Sequence, residues 1–204
     1  MAHPPTTAAY GSVVLAAVLW GGSIVAQKLA LGSFSPVEAS VLRDIGGLAI
    51  LLATWWWQDG TLASLTKADL RTLALLGLGV LGNHLLILIG LKYVSGAVAG
   101  VIIGSSPVVT ALLSAMLIQD MPLQALWAGC LLSFAGVALV SAAGFQAAGE
   151  QPLFGGMLVF LGVASWALYS IGSRRIMERV PALTVNWTTL LVATVLQIPL
   201  LWTD

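Results

Sequence analysis

Two adjacent polar residues, Asn83 and His84, lie near the middle of residues 72–91, a stretch without Lys, Arg, Asp or Glu. Polar side chains deep in an apolar helix are costly and tend to face a bundle interior or a water-filled path. His84 is also the only residue inside the charge-free stretches that titrates near neutral pH. We predict that Asn83 or His84 lines a solute path and that His84 carries a proton; the alternative is a hydrogen bond between helices. Because neighbouring helical residues point about 100° apart, at most one should face the path squarely.

Arg43 is a charged residue placed well inside a predicted helix. It lies about two turns, roughly 10 Å, after the start at Pro36, so it needs a partner or water. We predict that Arg43 and its neighbour Asp44 do not face each other, and Lys28 is a conceivable cross-helix partner for Asp44. Charged and aromatic residues on this predicted side are Lys28, Glu38, Arg43, Asp44, Lys92 and Tyr93. They form either an outer vestibule for anionic or zwitterionic solutes or snorkelling charges that fix helix depth.

A nucleophilic site could combine His84 with Ser105 or Ser106, which follow Gly104. The sequence disfavours this intramembrane hydrolase, because we predict no orienting carboxylate at that depth and a Ser before a helix Pro commonly bonds to the backbone. We therefore predict no enzyme. The single cysteine, Cys130, predicts no metal site, and the zero net charge predicts no nucleic-acid partner. The sequence has no Gly-Lys-Ser/Thr phosphate loop, so we also predict no nucleotide-driven transport and no cofactor.

Glycines repeat every fourth residue before a proline, at Gly96, Gly100 and Gly104, with Pro107 one turn later. Such a stripe lies on one helix face, where it lets another backbone approach closely, so helix packing is the favoured interpretation and a substrate groove the alternative. Pro107 should remove one helix hydrogen bond and kink the helix. Our hypothesis is that this kinked, glycine-lined helix moves during alternating access.

The elements that would position these residues follow from the hydropathy. The chain is 59% hydrophobic and 8% charged, whereas a typical soluble domain is about 25% charged. Charge-free stretches of roughly 20 residues are long enough to cross a bilayer as helices. We predict an all-α polytopic membrane protein with about seven transmembrane helices: 12–31, 36–57, 70–91, 95–118, 123–143, 155–173 and 184–202.

The orientation follows from the basic residues in the short loops. With a cytoplasmic N-terminus the inner loops hold Lys67, Arg71, Arg174, Arg175 and Arg179. The outer side then holds Lys28, Arg43 and Lys92. The larger inner number predicts a cytoplasmic N-terminus, in a multi-pass protein of the inner (plasma) membrane.

Two tryptophans in the middle of predicted helices, Trp20 and Trp166, reveal a weak internal repeat. Each is followed by a basic residue eight positions on, Lys28 and Arg174. The first and sixth helices therefore correspond, and the repeat unit has five helices, an odd number that inverts the second copy. Inverted repeats of transporters bind their solute where the two copies face each other. Candidate residues on these two helices are Trp20, Ser23, Gln27, Trp166 and Tyr169.

The order and spacing of several residues along the chain resemble those of a known family. The residues that carry the likeness are Leu19 to Ser23, Lys28, Ser35, Pro36, Arg43, Gly77, Gly79, Gly82, Leu91 to Ser95, Ser106, Pro107, Gly129 and Gly136. This order resembles the EamA domain of the drug/metabolite transporter superfamily. The resemblance implies ten helices in two inverted repeats, both termini cytoplasmic, and transport of small organic solutes, often outward, without ATP. Gln119 and Asp120 stand where the family usually has Gly-Glu.

The organisation that follows is a first EamA repeat over 11–143, an outer loop over 144–154 and the first two helices of a second repeat over 155–204. Three further helices would complete it, so we expect a fragment, a truncated product or a protein completed by assembly, for example as a homodimer. The sequence thus predicts a membrane-embedded secondary transporter for a metabolite or drug-like solute, with export as the direction. A truncated, non-transporting scaffold is the alternative.

Overall fold

The computed structural model describes residues 7–58, 65–118, 127–129, 131, 132, 135, 139 and 151–203. All regular secondary structure in these residues is helical. The helices are α1 (Thr7–Ala30), α2 (Pro36–Trp57), α3 (Lys67–Tyr93), α4 (Gly96–Gly104), α5 (Ser106–Ile118), α6 (Pro152–Met177) and α7 (Ala182–Gln197), followed by the 3-10 helix η1 (Ile198–Trp202). The predicted fifth helix, with Cys130, falls largely outside the described residues, as do Asp120 and most of the predicted outer loop.

The prediction of a polytopic helical membrane protein is confirmed. Five helical segments of the described part are long and apolar enough to cross a membrane: Tyr10–Ala30, Lys67–Tyr93, Gly96–Leu117, Pro152–Met177 and Ala182–Trp202. Helix α2 has the predicted bounds and 22 residues but is not among the five, and it carries three charged residues in its first half. Large apolar side chains such as Trp57 and Leu153 are exposed, as expected of surfaces that face lipid.

Capping residues explain where α2 and α3 begin. Ser35 accepts a hydrogen bond from the backbone N–H of Glu38, whose carboxylate accepts one from the N–H of Ser35. Thr66 and Asp69 form the same reciprocal capping box at the start of α3. Pro36 occupies the first turn of α2, where its missing N–H costs nothing. These local signals place the start of α2 at the residue predicted from the sequence.

Helix α3 is the centre of the bundle and packs against α6 along most of its length. Glycines make this contact close: a Cβ added at Gly90 would lie 2.8 Å from the carbonyl oxygen of Gly155, and one at Gly162 would lie 3.3 Å from that of Asn83. A Cβ at Gly96 or Gly100 would meet no atom of the described residues within 4 Å. The described residues thus show close backbone approach between α3 and α6, and the packing role of the α4 stripe stays a prediction.

The predicted fourth helix, 95–118, is two helices. The chain turns at Ser105, whose N–H donates to the carbonyls of Val101 and Ile102 and whose hydroxyl donates to Ile102 O at 2.6 Å. Pro107 stands in the first turn of α5, where it has no N–H to offer to the preceding turn. The predicted disruption by Pro107 is confirmed, and it is sharp enough to end α4.

The predicted seventh helix, 184–202, is also divided. Helix α7 ends at Gln197, and the chain continues as the 3-10 helix η1. Pro199 explains the change, since a proline cannot donate the hydrogen bond that would extend the α-helix.

An ion pair joins the start of α3 to the chain just after α6, where Arg179 contacts Asp69.

Candidate functional site

A cavity of about 390 Å³ lies between the helices of the bundle. Its walls come from α1 to α6, and its lining residues are Trp20, Ser23, Ile24, Gln27, Arg43, Asn83, His84, Ile87, Ile103, Ser106, Val163 and Trp166. Nine residues were candidates for a solute path, and seven of them line this one cavity; the two that do not are Tyr93 and Tyr169. We refer to this space as the central cavity.

Asn83 and His84 both reach the central cavity, and both also bond to other helices. The amide of Asn83 donates to Gly162 O on α6 at 2.9 Å. Nδ1 of His84 lies 2.8 and 2.9 Å from the two carboxylate oxygens of Asp44 on α2. Both side chains therefore line the cavity and also bond to a neighbouring helix. The expectation that at most one of them faces the path squarely stays a prediction.

Asp44 is the hub of a buried polar cluster. Only 1% of its side chain is exposed, and its oxygens accept from His84, Arg43 and Gln197, the last through Nε2 at 2.8 Å. Because a carboxylate only accepts hydrogen bonds, this arrangement places the Nδ1 proton on His84 and directs it at Asp44. The cluster joins α2, α3 and α7.

Arg43 does face its neighbour, so the prediction that the two side chains point apart is wrong. Nε and Nη2 of Arg43 both donate to Asp44 Oδ1 at 3.2 Å. Nη1 donates to Gln27 Oε1 on α1 at 3.2 Å, and Gln27 in turn lies 3.5 Å from the hydroxyl of Ser23. The long arginine side chain folds back along its own helix, and α1 holds the far side of the guanidinium. One third of the Arg43 side chain remains exposed.

The two tryptophans of the predicted repeat meet across the cavity. The rings of Trp20 and Trp166 are 6.3 Å apart, centroid to centroid, and pack edge to face at 61°. Helices α1 and α6 therefore face a shared space. The internal repeat inferred from their matching sequence positions stays a prediction. An edge-to-face pair leaves ring faces available for a ligand body.

Two predicted path residues lie elsewhere. Tyr169 is buried behind Trp166, with ring centroids 5.1 Å apart, and its hydroxyl donates to Asn186 Oδ1 at 2.9 Å. Tyr93 packs edge to face against Phe154, 5.2 Å away. Neither lines the central cavity, because each ring is already held between α3, α6 and α7 rather than turned toward α1. The structure does not bring these two tyrosines to the central cavity with the other seven candidates.

A second, more apolar cavity of about 680 Å³ adjoins the central one. The residues shared by the two walls are Trp20, Ile24, Ile103 and Ser106. Gly100, Gly104 and Pro107 line this adjoining cavity. The glycine stripe thus borders a cavity at Gly100 and Gly104, and its use as a substrate groove stays a prediction.

Lys28 has a different partner from the one considered in the sequence. Its ammonium group donates to the backbone carbonyls of Leu91 and Val94, the latter at 2.9 Å. Cations at a helix C-terminus are stabilised by its free carbonyls. Lys28 therefore ties α1 to the end of α3, and the conceivable pair with Asp44 is wrong.

Sequence reasoning missed Gln197 and underrated Asp44. Asp44 had a detectable signal, since an acidic residue well inside a largely apolar helix needs a partner. Gln197 had none, because its role depends on α7 packing against α2.

Asp44 also removes one reason given against a hydrolase, namely that no carboxylate would orient His84. Ser106 lines the cavity with His84, whereas Ser105 donates to the backbone.

These features define a helical membrane protein with an internal, mainly apolar cavity that carries a few polar groups and is lined by helices α1 to α6. The chain belongs to the EamA-like transporter family, whose model matches residues 7–142. It is 27% identical over 191 residues to "Uncharacterized transporter YyaM" of Bacillus subtilis (strain 168), covering 92% of this chain and 63% of that protein. An "Uncharacterized transporter" of Archaeoglobus fulgidus is 28% identical over 169 residues, 81% of this chain and 57% of its own length.

The B. subtilis "Uncharacterized transporter YdeK" is 30% identical over 204 residues, which cover 96% of this chain and 66% of that protein. The chain thus spans between about half and two thirds of the length of the curated relatives it matches. No solved structure matches the chain.

Proposed function

We propose that this chain carries the solute-binding part of a secondary transporter that moves a small organic metabolite or drug-like molecule, with export as the direction. The observation that carries the proposal is the central cavity, which combines the faces of Trp20 and Trp166 with Arg43, Asn83 and His84. Ligand sites are commonly concave, about 300–1,000 Å³ in volume and mainly apolar, with a few polar groups. The central cavity fits this description inside a membrane protein.

The proposed transport cycle is alternating access between two inverted five-helix repeats, the first over 11–143 and the second beginning at 155. The contact between Trp20 and Trp166 supports it, since corresponding helices of inverted repeats face one cavity. The break between α4 and α5 supplies a joint beside that cavity. The proposal retains a cytoplasmic N-terminus and an inner-membrane location, in line with the loop charges.

We also propose that His84 carries the coupling proton. Its ring lines the cavity, and its Nδ1–H is committed to Asp44, so a proton gained at Nε2 would turn the ring into a cation beside the solute. Arg43 and Asp44 are the other ionisable groups in contact with this cluster, and both are held by hydrogen bonds. The proton would then leave when the cavity opens to the other side.

The experiment that tests the cavity's role fills the space with one side chain. Gly100 lines the adjoining cavity, and a Cβ there meets nothing within 4 Å, so Gly100→Leu should fold and yet obstruct the solute. Gly96→Leu is the matched control, because its Cβ is equally free and it lines neither cavity. The complete transporter in proteoliposomes should lose more than about tenfold of its flux with Gly100→Leu alone; equal flux in both variants would reject the proposal.

One observation favours a second candidate, a hydrolase, because Ser106 and His84 line one cavity and the buried Asp44 carboxylate contacts Nδ1 of His84. Removal of an attacking serine typically lowers catalysis by several orders of magnitude. Ser106→Ala would therefore abolish hydrolysis of an ester probe by such an enzyme. A transporter would keep most of its flux, and no ester turnover would be seen in either form.

A further inference from the structure

The ionisable side chains that line the two cavities are all basic. In the described residues, Arg43 and His84 line the central cavity and Arg174 lines the adjoining one, and no Asp or Glu lines either. A wall of one sign favours ligands of the opposite sign, and it does so more strongly where apolar surroundings reduce screening. The rest of the lining is apolar or carries neutral amides and hydroxyls.

Asp44, the acidic residue of the buried polar cluster, does not line the central cavity. Asp44 is 1% exposed while Arg43 is 33% exposed. The Asp44 oxygens accept from three side chains, on α2, α3 and α7. A solute in the central cavity therefore meets the guanidinium of Arg43 and not the carboxylate behind it.

The guanidinium still has donors to offer. An arginine has five N–H groups in a fixed fork, and three hydrogen bonds hold Arg43 to Asp44 and Gln27. Two N–H groups have no partner among the described residues. The planar fork matches a carboxylate better than an ammonium group would, so the site suits a carboxylate-bearing ligand.

We infer that the central cavity selects small organic anions, in the form of a carboxylate held by Arg43 with an apolar body against the exposed ring faces of Trp20 and Trp166. This inference rests on the proposed function and adds the class of solute. The shared walls at Ile24 and Ile103 let the apolar body extend into the adjoining cavity. A permanently cationic solute of the same size would be disfavoured.

The test measures the charge preference of the cavity with reagents instead of an unidentified solute. Ser23→Cys, in a Cys130→Ser background reconstituted in lipid nanodiscs, places a thiol on the cavity wall. Its reaction rate is measured with two methanethiosulfonates, 2-carboxyethyl (anionic) and 2-(trimethylammonio)ethyl (cationic). Thr203→Cys in the same background is the control, since Thr203 is exposed beyond η1 and lines neither cavity. Rates are expressed relative to this control.

We expect the anionic reagent to react about tenfold faster than the cationic one at position 23, because a nearby unit charge acts on them in opposite directions. Arg43→Gln should bring the ratio close to one, whereas Arg43→Lys should keep much of it. Asp44→Asn should raise the ratio, since it removes the compensating negative charge. A purely structural role would make Arg43→Gln and Asp44→Asn shift the ratio in the same direction.

The outcomes separate this inference from the proposed function. A thiol at position 23 that reacts with both reagents, without a preference that depends on Arg43, overturns the anion selectivity and leaves the cavity as a solute site. A thiol that reacts with neither reagent, while position 203 reacts with both, overturns the solute site itself. An anionic preference lost in Arg43→Gln and enlarged in Asp44→Asn supports the inference.

Discussion

The contact between α3 and α6 and the cavity beside α4 and α5 use the same residue type for opposite purposes. At Gly90, Gly155 and Gly162 an added Cβ would lie within 3 Å of a neighbouring atom, so glycine there permits helix contact. At Gly96 and Gly100 an added Cβ meets nothing within 4 Å, and Gly100 borders open space. Small residues in a membrane helix therefore do not by themselves indicate packing.

Of the variants that test this comparison, Gly90→Leu should cause the largest loss of stability. Its side chain would collide with Gly155 O and with Val159, and backbone atoms cannot move aside as a flexible side chain can. Overpacking costs typically about 1–3 kcal/mol and occasionally more, and this site should be at or above the upper end. The readout is the yield of monodisperse protein and its thermal midpoint. Gly100→Leu should stay near the parent in both; equal losses would remove the distinction between the two regions.

Asp44→Ala is next, because it removes the hub of the polar cluster. His84, Arg43 and Gln197 would each lose a buried partner, and breaking a buried ion pair in this way costs about 3–5 kcal/mol. Asp44→Asn keeps the shape and part of the hydrogen bonding, so it should lose clearly less. Thermal unfolding in one detergent compares the two. An alanine variant as stable as the parent would mean that the cluster does not hold α2, α3 and α7 together.

His84→Gln tests the cavity rather than the packing. Glutamine can still donate to Asp44 but does not titrate, so flux through the complete transporter should no longer change between about pH 5 and 8, where histidine usually titrates. Flux at each pH in proteoliposomes is the measurement. Asn83→Gln, a neighbour without a titratable group, should keep the parent's pH profile. A profile unchanged in His84→Gln would exclude the proton role.

Arg179→Ala should have the smallest effect. Its ion pair joins an arginine that is 61% exposed to the buried carboxylate of Asp69, and ion pairs with a solvent-exposed partner contribute little to stability. Asp69 also keeps its capping bonds to Thr66, so its carboxylate is not left without a partner. The thermal midpoint should fall by much less than in Asp44→Ala. A loss as large as that of Asp44→Ala would show that this half-exposed pair and the buried cluster are equivalent.

Local patterns predicted much of the cavity. The eight-residue spacing from each tryptophan to a basic residue paired α1 with α6, and polar residues in charge-free stretches indicated Asn83 and His84. Such inferences can be drawn from the sequence because burial cost and helix periodicity are properties of one segment. Tyr93 and Tyr169 do not line the central cavity, for the converse reason. A tyrosine suits a cavity wall or a packed seam equally well, and the neighbouring helix decides between them.

The amino-acid sequence by itself determined that this chain is a bundle of membrane helices, that α2 begins at Pro36 and that Pro107 interrupts a helix. The capping boxes of α2 and α3 and the division of α7 from η1 were seen in the structure but arise from equally local signals. Those features follow from hydropathy, capping and the missing proline N–H, which act within a few residues. Only the tertiary structure decided that Asp44 binds His84 and Gln197, that Arg43 turns back onto Asp44 and Gln27, and which glycines carry contact. Residues 44 and 197 become neighbours through helix packing, and hydrogen bonds over about 3 Å depend on that packing rather than on sequence distance.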